Sequence, residues 1–132
     1  MSSKWSKLEI EDKVTSILRT VQPYITDHHF GRPFLTAYQL AIAFAEEYTE
    51  TTSQIGFQVG GEGTGERNSL AQYLAGQLSR LINAGEINHI EGAFLSHKDL
   101  NDISFNFRDE TIRSSLTSAS FDLSMFRLIE SE

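Results

Sequence analysis

The chain has 132 residues, a formal net charge of −7 and no cysteine. Its length fits one domain with a core of its own. The missing thiols exclude a disulfide framework, a thiolate nucleophile and a cysteine-based zinc site. The acidic balance opposes nonspecific attraction to nucleic acid or to anionic lipid. The middle is acidic too: between Val14 and His97 there is no lysine, and Arg19, Arg32, Arg67 and Arg80 are outnumbered by aspartate and glutamate. Near the start, Trp5 and Leu8 lie among Lys4, Lys7, Glu9 and Glu11, without the continuous apolar run of a signal peptide. The longest apolar stretch, residues 40–45, is too short to cross a bilayer, so a cytoplasmic domain with no membrane role is expected.

In chain order, Ile10, Val14, Ile17, Leu18, Val21 and Ile25 recur at three- and four-residue steps and predict a first helix over 6–25, bent or ended by Pro23. "ITDHHFGRP" reads as a loop. Thr36 with Gln39 forms a capping box, flanked by Leu35 and Leu40 at the positions of a hydrophobic staple. The helix that follows carries Tyr38, Ala41, Ile42, Ala45 and Tyr48 on one face, widened by Leu40 and Phe44. It is expected to be the most buried helix. Ile55, Phe57 and Val59 alternate with Gly56 and Gln58 and predict a short strand or extended segment. After a glycine-rich stretch, Ser69 and Gln72 open a third helix, with Leu70, Leu74, Leu78, Leu81 and Ile82 on its apolar face and Gly85 ending it.

The period then changes. Ile87, Ile90 and Phe94 fall in short apolar pieces, and "HKDLND" reads as a turn or a single helical turn. Ile103, Phe105 and Phe107 alternate as a half-buried strand. "RSSLTSAS" reads as a solvated turn, and Phe121, Leu123 and Met125 as a further strand, with a bulge or strand end at Phe126. The order predicts an α+β fold: three helices in the N-terminal two-thirds and a small antiparallel sheet near the C-terminus, in one domain over 1–132. "LSRLINAGEI" is similar to the close of a recognition helix entering a wing strand, so the layout is winged-helix-like, without a family motif.

The chemistry-bearing candidates are few. "FQVGGEGTGERNSLAQ" holds four glycines in residues 60–65 ahead of a helix. Backbone N–H groups there, with Gly61, Gly63, Gly65, Arg67 and Ser69, form a candidate anion site. Yet Glu66 stands where a P-loop needs lysine, the dinucleotide pattern fails at the same position, and Glu62 and Glu66 would oppose a phosphate. The plainer reading is a surface connection. Asp27, His28 and His29, with His89 and His97, lack metal-ligand spacing, and no metal or cofactor is expected. No serine or carboxylate pair has a partner that would make it a nucleophile or general acid. Arg67 and Arg80 are candidate nucleic-acid contacts, and Phe30, Arg32 and Trp5 candidate interface residues, with Trp5 serving either as a core plug or as an exposed docking residue.

Three functions are therefore in view. The first is a small non-catalytic protein-interaction module that is oligomeric or part of a larger assembly. The second is a winged-helix-like nucleic-acid-binding regulator, disfavoured by charge. The third is a phosphate- or nucleotide-binding protein using residues 60–69.

Overall fold

The computed structural model describes residues 3–23, 30–59, 69–100, 102–115 and 122–129. The fold is α+β. Helices α1 (Lys4–Lys7) and α2 (Ile10–Arg19) are followed by strand β1 (Leu35–Thr36), helices α3 (Ala37–Glu47), α4 (Thr49–Ile55) and α5 (Leu70–Asn83), and strands β2 (Ile90–Leu95), β3 (Asp102–Phe107), β4 (Glu110–Ser115) and β5 (Leu123–Leu128). The strands form a three-stranded antiparallel sheet in the order β1-β5-β2 and a separate β3–β4 hairpin. The small sheet near the C-terminus is as expected; the helices of the N-terminal part differ from expectation in two places.

The first expected helix is two. Glu9 takes a left-handed φ of 54° and separates α1 from α2. Helix α2 buries Ile10, Val14, Ile17 and Leu18 and stops at Arg19 rather than continuing to residue 25, which lies outside the described residues. Pro23 is the physical reason. It has no N–H to donate to the carbonyl four residues back, which is that of Arg19. The guanidinium of Arg32 takes over, donating to the Arg19 carbonyl at 2.8 Å and the Val21 carbonyl at 2.9 Å.

The second difference is α4. The alternation of Ile55, Phe57 and Val59 predicts an extended segment, but Ile55 is the buried last residue of a helix. Thr49 and Thr52 donate their hydroxyls to the carbonyls of Ala45 and Tyr48, which binds the new turn to the end of α3. Gly56, at φ 91°, then stops it in the left-handed conformation. Residues 57–59 belong to neither helix nor strand, and Phe57 meets Tyr73 of α5 at a ring-centroid distance of 5.9 Å.

Helices α3 and α5 begin and end as the residues dictate. Thr36 Oγ1 accepts from the Gln39 N–H and Gln39 Oε1 accepts from the Thr36 N–H, closing the capping box. At the end of α5, the Glu86 N–H donates to the Leu81 carbonyl and the Gly85 N–H to the Ile82 carbonyl, with Gly85 at φ 79°. That pair of bonds is a Schellman motif. Helix α3 is the centre of the fold: α2, α4, α5, β1, β3 and β5 all pack on it. Phe44, Leu40, Leu18, Ile10, Leu70, Leu74 and Leu78 lose essentially all contact with solvent, each contributing about 1.5–3 kcal/mol of burial.

Sheet register corrects three further expectations. Strand β5 pairs with β2 without interruption from Leu123↔Leu95 to Leu128↔Ile90, so there is no bulge at Phe126. Phe126 and Leu128, not Leu123 and Met125, carry the face that joins the core of the helices. Within the stretch read as a solvated turn, residues 113–115 belong to strand β4, opposite Ser104, Ile103 and Asp102. The β3–β4 hairpin folds back on the helices, where Phe105 stacks on Tyr38 with centroids 5.4 Å apart and rings 18° from parallel. Among the described residues, no helix is long and apolar enough to cross a membrane.

Because Thr36 closes the box on α3, Thr36→Ala is expected to lower the unfolding free energy by about 1–2 kcal/mol. Gln39→Ala, at an exposed position, should cost less. Urea denaturation of both variants checks the order, and equal or negligible losses would contradict it.

Candidate docking groove beside the edge strand

A concave, partly apolar surface lies between the C-terminal half of α5 and the distal half of β2. It encloses about 540 Å³ and is lined by Ser79, Arg80, Ile82 and Asn83 of α5, Gly92, Ala93 and Phe94 of β2, and Ser124 and Phe126 of β5. Its origin is local. Ile90, Gly92 and Phe94 share one face of β2, and only Ile90 reaches the core. Gly92 lies opposite Phe126, and a Cβ there would stand 3.3 Å from the Phe126 ring. Glycine therefore lets the ring lean across the strand and leaves a shallow gap beside it. Phe94 is 70% exposed. Arg80 is the one charged residue in the lining, and its Nη2 donates to Gln77 Oε1.

The opposite face of the sheet is closed by a clamp around Arg127. Its Nε donates to Glu91 Oε2 at 2.5 Å, and its Nη1 donates to the carbonyls of Phe30 at 2.6 Å and Arg32 at 3.1 Å. The guanidinium also lies 4.4 Å from the centre of the Phe34 ring. Gly31 sits under it at φ 86°, a conformation that favours glycine. One arginine thus fixes the 30–34 turn to β5 while Arg32 caps α2.

This assigns structural work to two interface candidates. The Arg32 side chain holds the end of α2, and the Phe30 carbonyl holds Arg127, although the Phe30 side chain is 67% exposed. Trp5 is the plug of its two expected alternatives: it is 7% exposed and packs against Tyr73 at 6.3 Å between centroids. Its indole N–H has no hydrogen-bond partner among the described residues.

Gly61, Gly63, Gly65 and Arg67 lie outside the described residues, as do Asp27, His28 and His29. Ser69 is described and buried, and its hydroxyl accepts from the Gln72 N–H at 3.0 Å. The two preceding amides of the α5 N-terminus are also engaged: the Leu70 N–H donates to the Gln58 carbonyl at 2.6 Å and the Ala71 N–H to the Val59 carbonyl at 3.0 Å. The donors that an anion would seek at a helix N-terminus are bonded within the chain. Any anion site here would draw its N–H groups from residues 60–68. Among the described residues, no three histidine, aspartate or glutamate side chains gather as a metal site.

Of the remaining histidines, His89 Nε2 lies 2.9 Å from Thr15 Oγ1, tying β2 to α2. His97 sits where the chain leaves β2, and Asp122 where it returns to β5. Asp122 Oδ1 accepts from the His97 backbone N–H at 2.8 Å and lies 2.6 Å from His97 Nδ1. The side-chain bond first, and the backbone bond second, hold the Asp122 carboxyl below its ordinary value of 3.8. A depressed carboxylate contributes to the fold above that ordinary value, and the contribution is lost as pH falls through the lowered one.

In the sequence Phe94 stands out only as part of a short apolar piece, and Gly92 and Arg127 carry no local signal. The signal at Phe94 was its shared parity with Ile90 and Gly92, but only sheet order shows that this strand is an edge. Comparison with protein-family models, curated proteins and solved structures returned no match to the chain.

NMR titration of the Asp122 side chain is expected to give a midpoint below 3.8 in the wild type and a higher one in His97→Ala. A wild-type midpoint at or above the ordinary value would contradict the His97–Asp122 contact.

Proposed function

We propose that the chain is a small non-catalytic interaction module of the cytoplasm, docking a protein partner at the α5–β2 groove. The observation that carries this reading is Phe94, a large aromatic side chain 70% exposed at the rim of a concave, partly apolar surface. Leaving it in water forgoes the burial that aromatic residues normally contribute, and exposed aromatics beside shallow pockets are typical anchors of protein interfaces. The lack of cysteine suits a reducing compartment.

A photo-crosslinking phenylalanine analogue placed at position 94, in the native host, is expected to yield a covalent protein adduct. The same analogue at the exposed position 46 should not. No adduct from position 94 would remove the reading.

A second reading is favoured by connectivity and by the composition of α5. The run α2-β1-α3-α4-α5-β2-β5, with sheet order β1-β5-β2, is winged-helix-like when the β3–β4 hairpin is placed as the wing insertion. Helix α5 carries no acidic residue, and its exposed positions are Gln72, Gly76, Ser79, Arg80 and Asn83. Amide and guanidinium side chains of this kind read base edges. The charge of −7 opposes the idea. Gel retardation of duplex DNA at low salt, weakened by Arg80→Ala, is the expected result if it holds; no retardation at low salt would dismiss it.

A further inference from the structure

We propose that the occupant of the groove is a second copy of this chain, joined through the outer edges of two β2 strands related by a two-fold axis. This rests on the interaction-module reading and names its partner and register.

The phase of the β2–β5 ladder sets which backbone groups are free to pair. The Ile129 N–H donates to the His89 carbonyl at 2.9 Å. His89 and Ile129 continue the register in which Glu91 faces Arg127 and Ala93 faces Met125. In an antiparallel pair, hydrogen-bonded positions alternate, so Glu91, Ala93 and Leu95 turn their N–H and C=O groups toward β5. Those of Ile90, Gly92 and Phe94 face the outer edge. Among the described residues, no strand pairs with that edge. Natural edge strands are usually guarded by lysine, proline or a bulge; β2 has none of these, and its one charged side chain, Glu91, is held by Arg127 on the other face.

The edge is self-complementary about Ala93. A two-fold axis through that position sets Gly92 opposite Phe94 of the second copy and Phe94 opposite its Gly92, both of them outward-facing and therefore hydrogen-bonding positions. Directly opposed side chains project to the same face. Each exposed Phe94 ring then covers the other copy's glycine gap and meets the edge of the Phe126 ring leaning over it. An aromatic ring laid across an edge glycine is a known way to recover the packing that glycine lacks. Isologous pairing of this kind closes after two copies and joins the two three-stranded sheets into one of six.

Electrostatics permits this surface where the rest of an acidic chain would repel. In this register Glu91 lies opposite Leu95 of the second copy, so no carboxylates oppose each other across the strands. The groove lining holds Arg80 and no acidic residue. The docking surface is thus the part of the β2 side on which two molecules of net charge −7 can approach with no carboxylate facing another.

Size-exclusion chromatography with light scattering on the full chain, over a range of concentrations, tests this. The expected mass rises to twice that of one chain, and Phe94→Lys, which adds a charge at an exposed edge position, returns it to that of one chain with an unchanged circular dichroism spectrum. Phe94→Trp, which keeps the ring, should retain the dimer. A single-chain mass at every concentration overturns the proposal, as does a dimer that survives Phe94→Lys, since it must use another surface. Failure here is distinguishable from failure of the broader reading: a cross-link from position 94 to a different protein would keep the interaction module while removing the second copy as its partner.

Discussion

Thr36 belongs to two structures at once, and the fold is organised around that overlap. As the end of β1 it pairs with Met125 of β5, and as the N-cap of α3 it closes the capping box with Gln39. The residue is buried, so its hydroxyl and N–H must find partners within the protein. The capping box supplies both. Because the strand passes into the helix with no intervening loop, the direction of α3 over the sheet is set by the chain itself. Every other helix then packs against α3 or beside it.

The second constraint is electrostatic. Arg127 projects from β5 on the face away from the helices and gathers the 30–34 turn, Glu91 and the Phe34 ring around one guanidinium. A planar group with several fixed donors can serve two carbonyls and a carboxylate together, which a lysine ammonium would do with less geometric definition. Arg32 repeats the solution on a smaller scale, replacing the donor that Pro23 lacks. Two arginines in an acidic chain are thereby committed to holding backbone, and Arg80 is left beside the groove.

The two faces of the sheet consequently differ. One is pinned by Arg127. The other is filled by the helices at Ile90, Phe126 and Leu128, and opens at Gly92 and Phe94 into the groove beside α5. A glycine and an exposed phenylalanine two positions apart on the same face of an edge strand make both a gap and something to fill it. The proposed association needs no rearrangement of the core, because both parts already stand on a strand held along its length by β5.

Sequence alone determined the features carried by neighbours a few residues apart. The capping box at Thr36 and Gln39, the Ser69 cap and the Gly85 stop of α5, the buried character of α3 and the alternation of β3 depend on local spacing. So does the order of helices before strands that makes the fold α+β. Local spacing misleads where one pattern fits two periods. Ile55, Phe57 and Val59 alternate, yet threonine back-bonding carries the helix through Ile55. In β4, Ile112 is the lone apolar side chain, so no alternation was visible. Tertiary structure decided which parity of β5 meets the helices, that β2 is an edge, that Arg127 and not a local residue holds the 30–34 turn, and that Trp5 is inside. The physical reason is the range of the interaction. A cap or a helical face is closed by residues three or four positions away, whereas Gly92 and Phe126, or Phe30 and Arg127, meet only after the strands have paired.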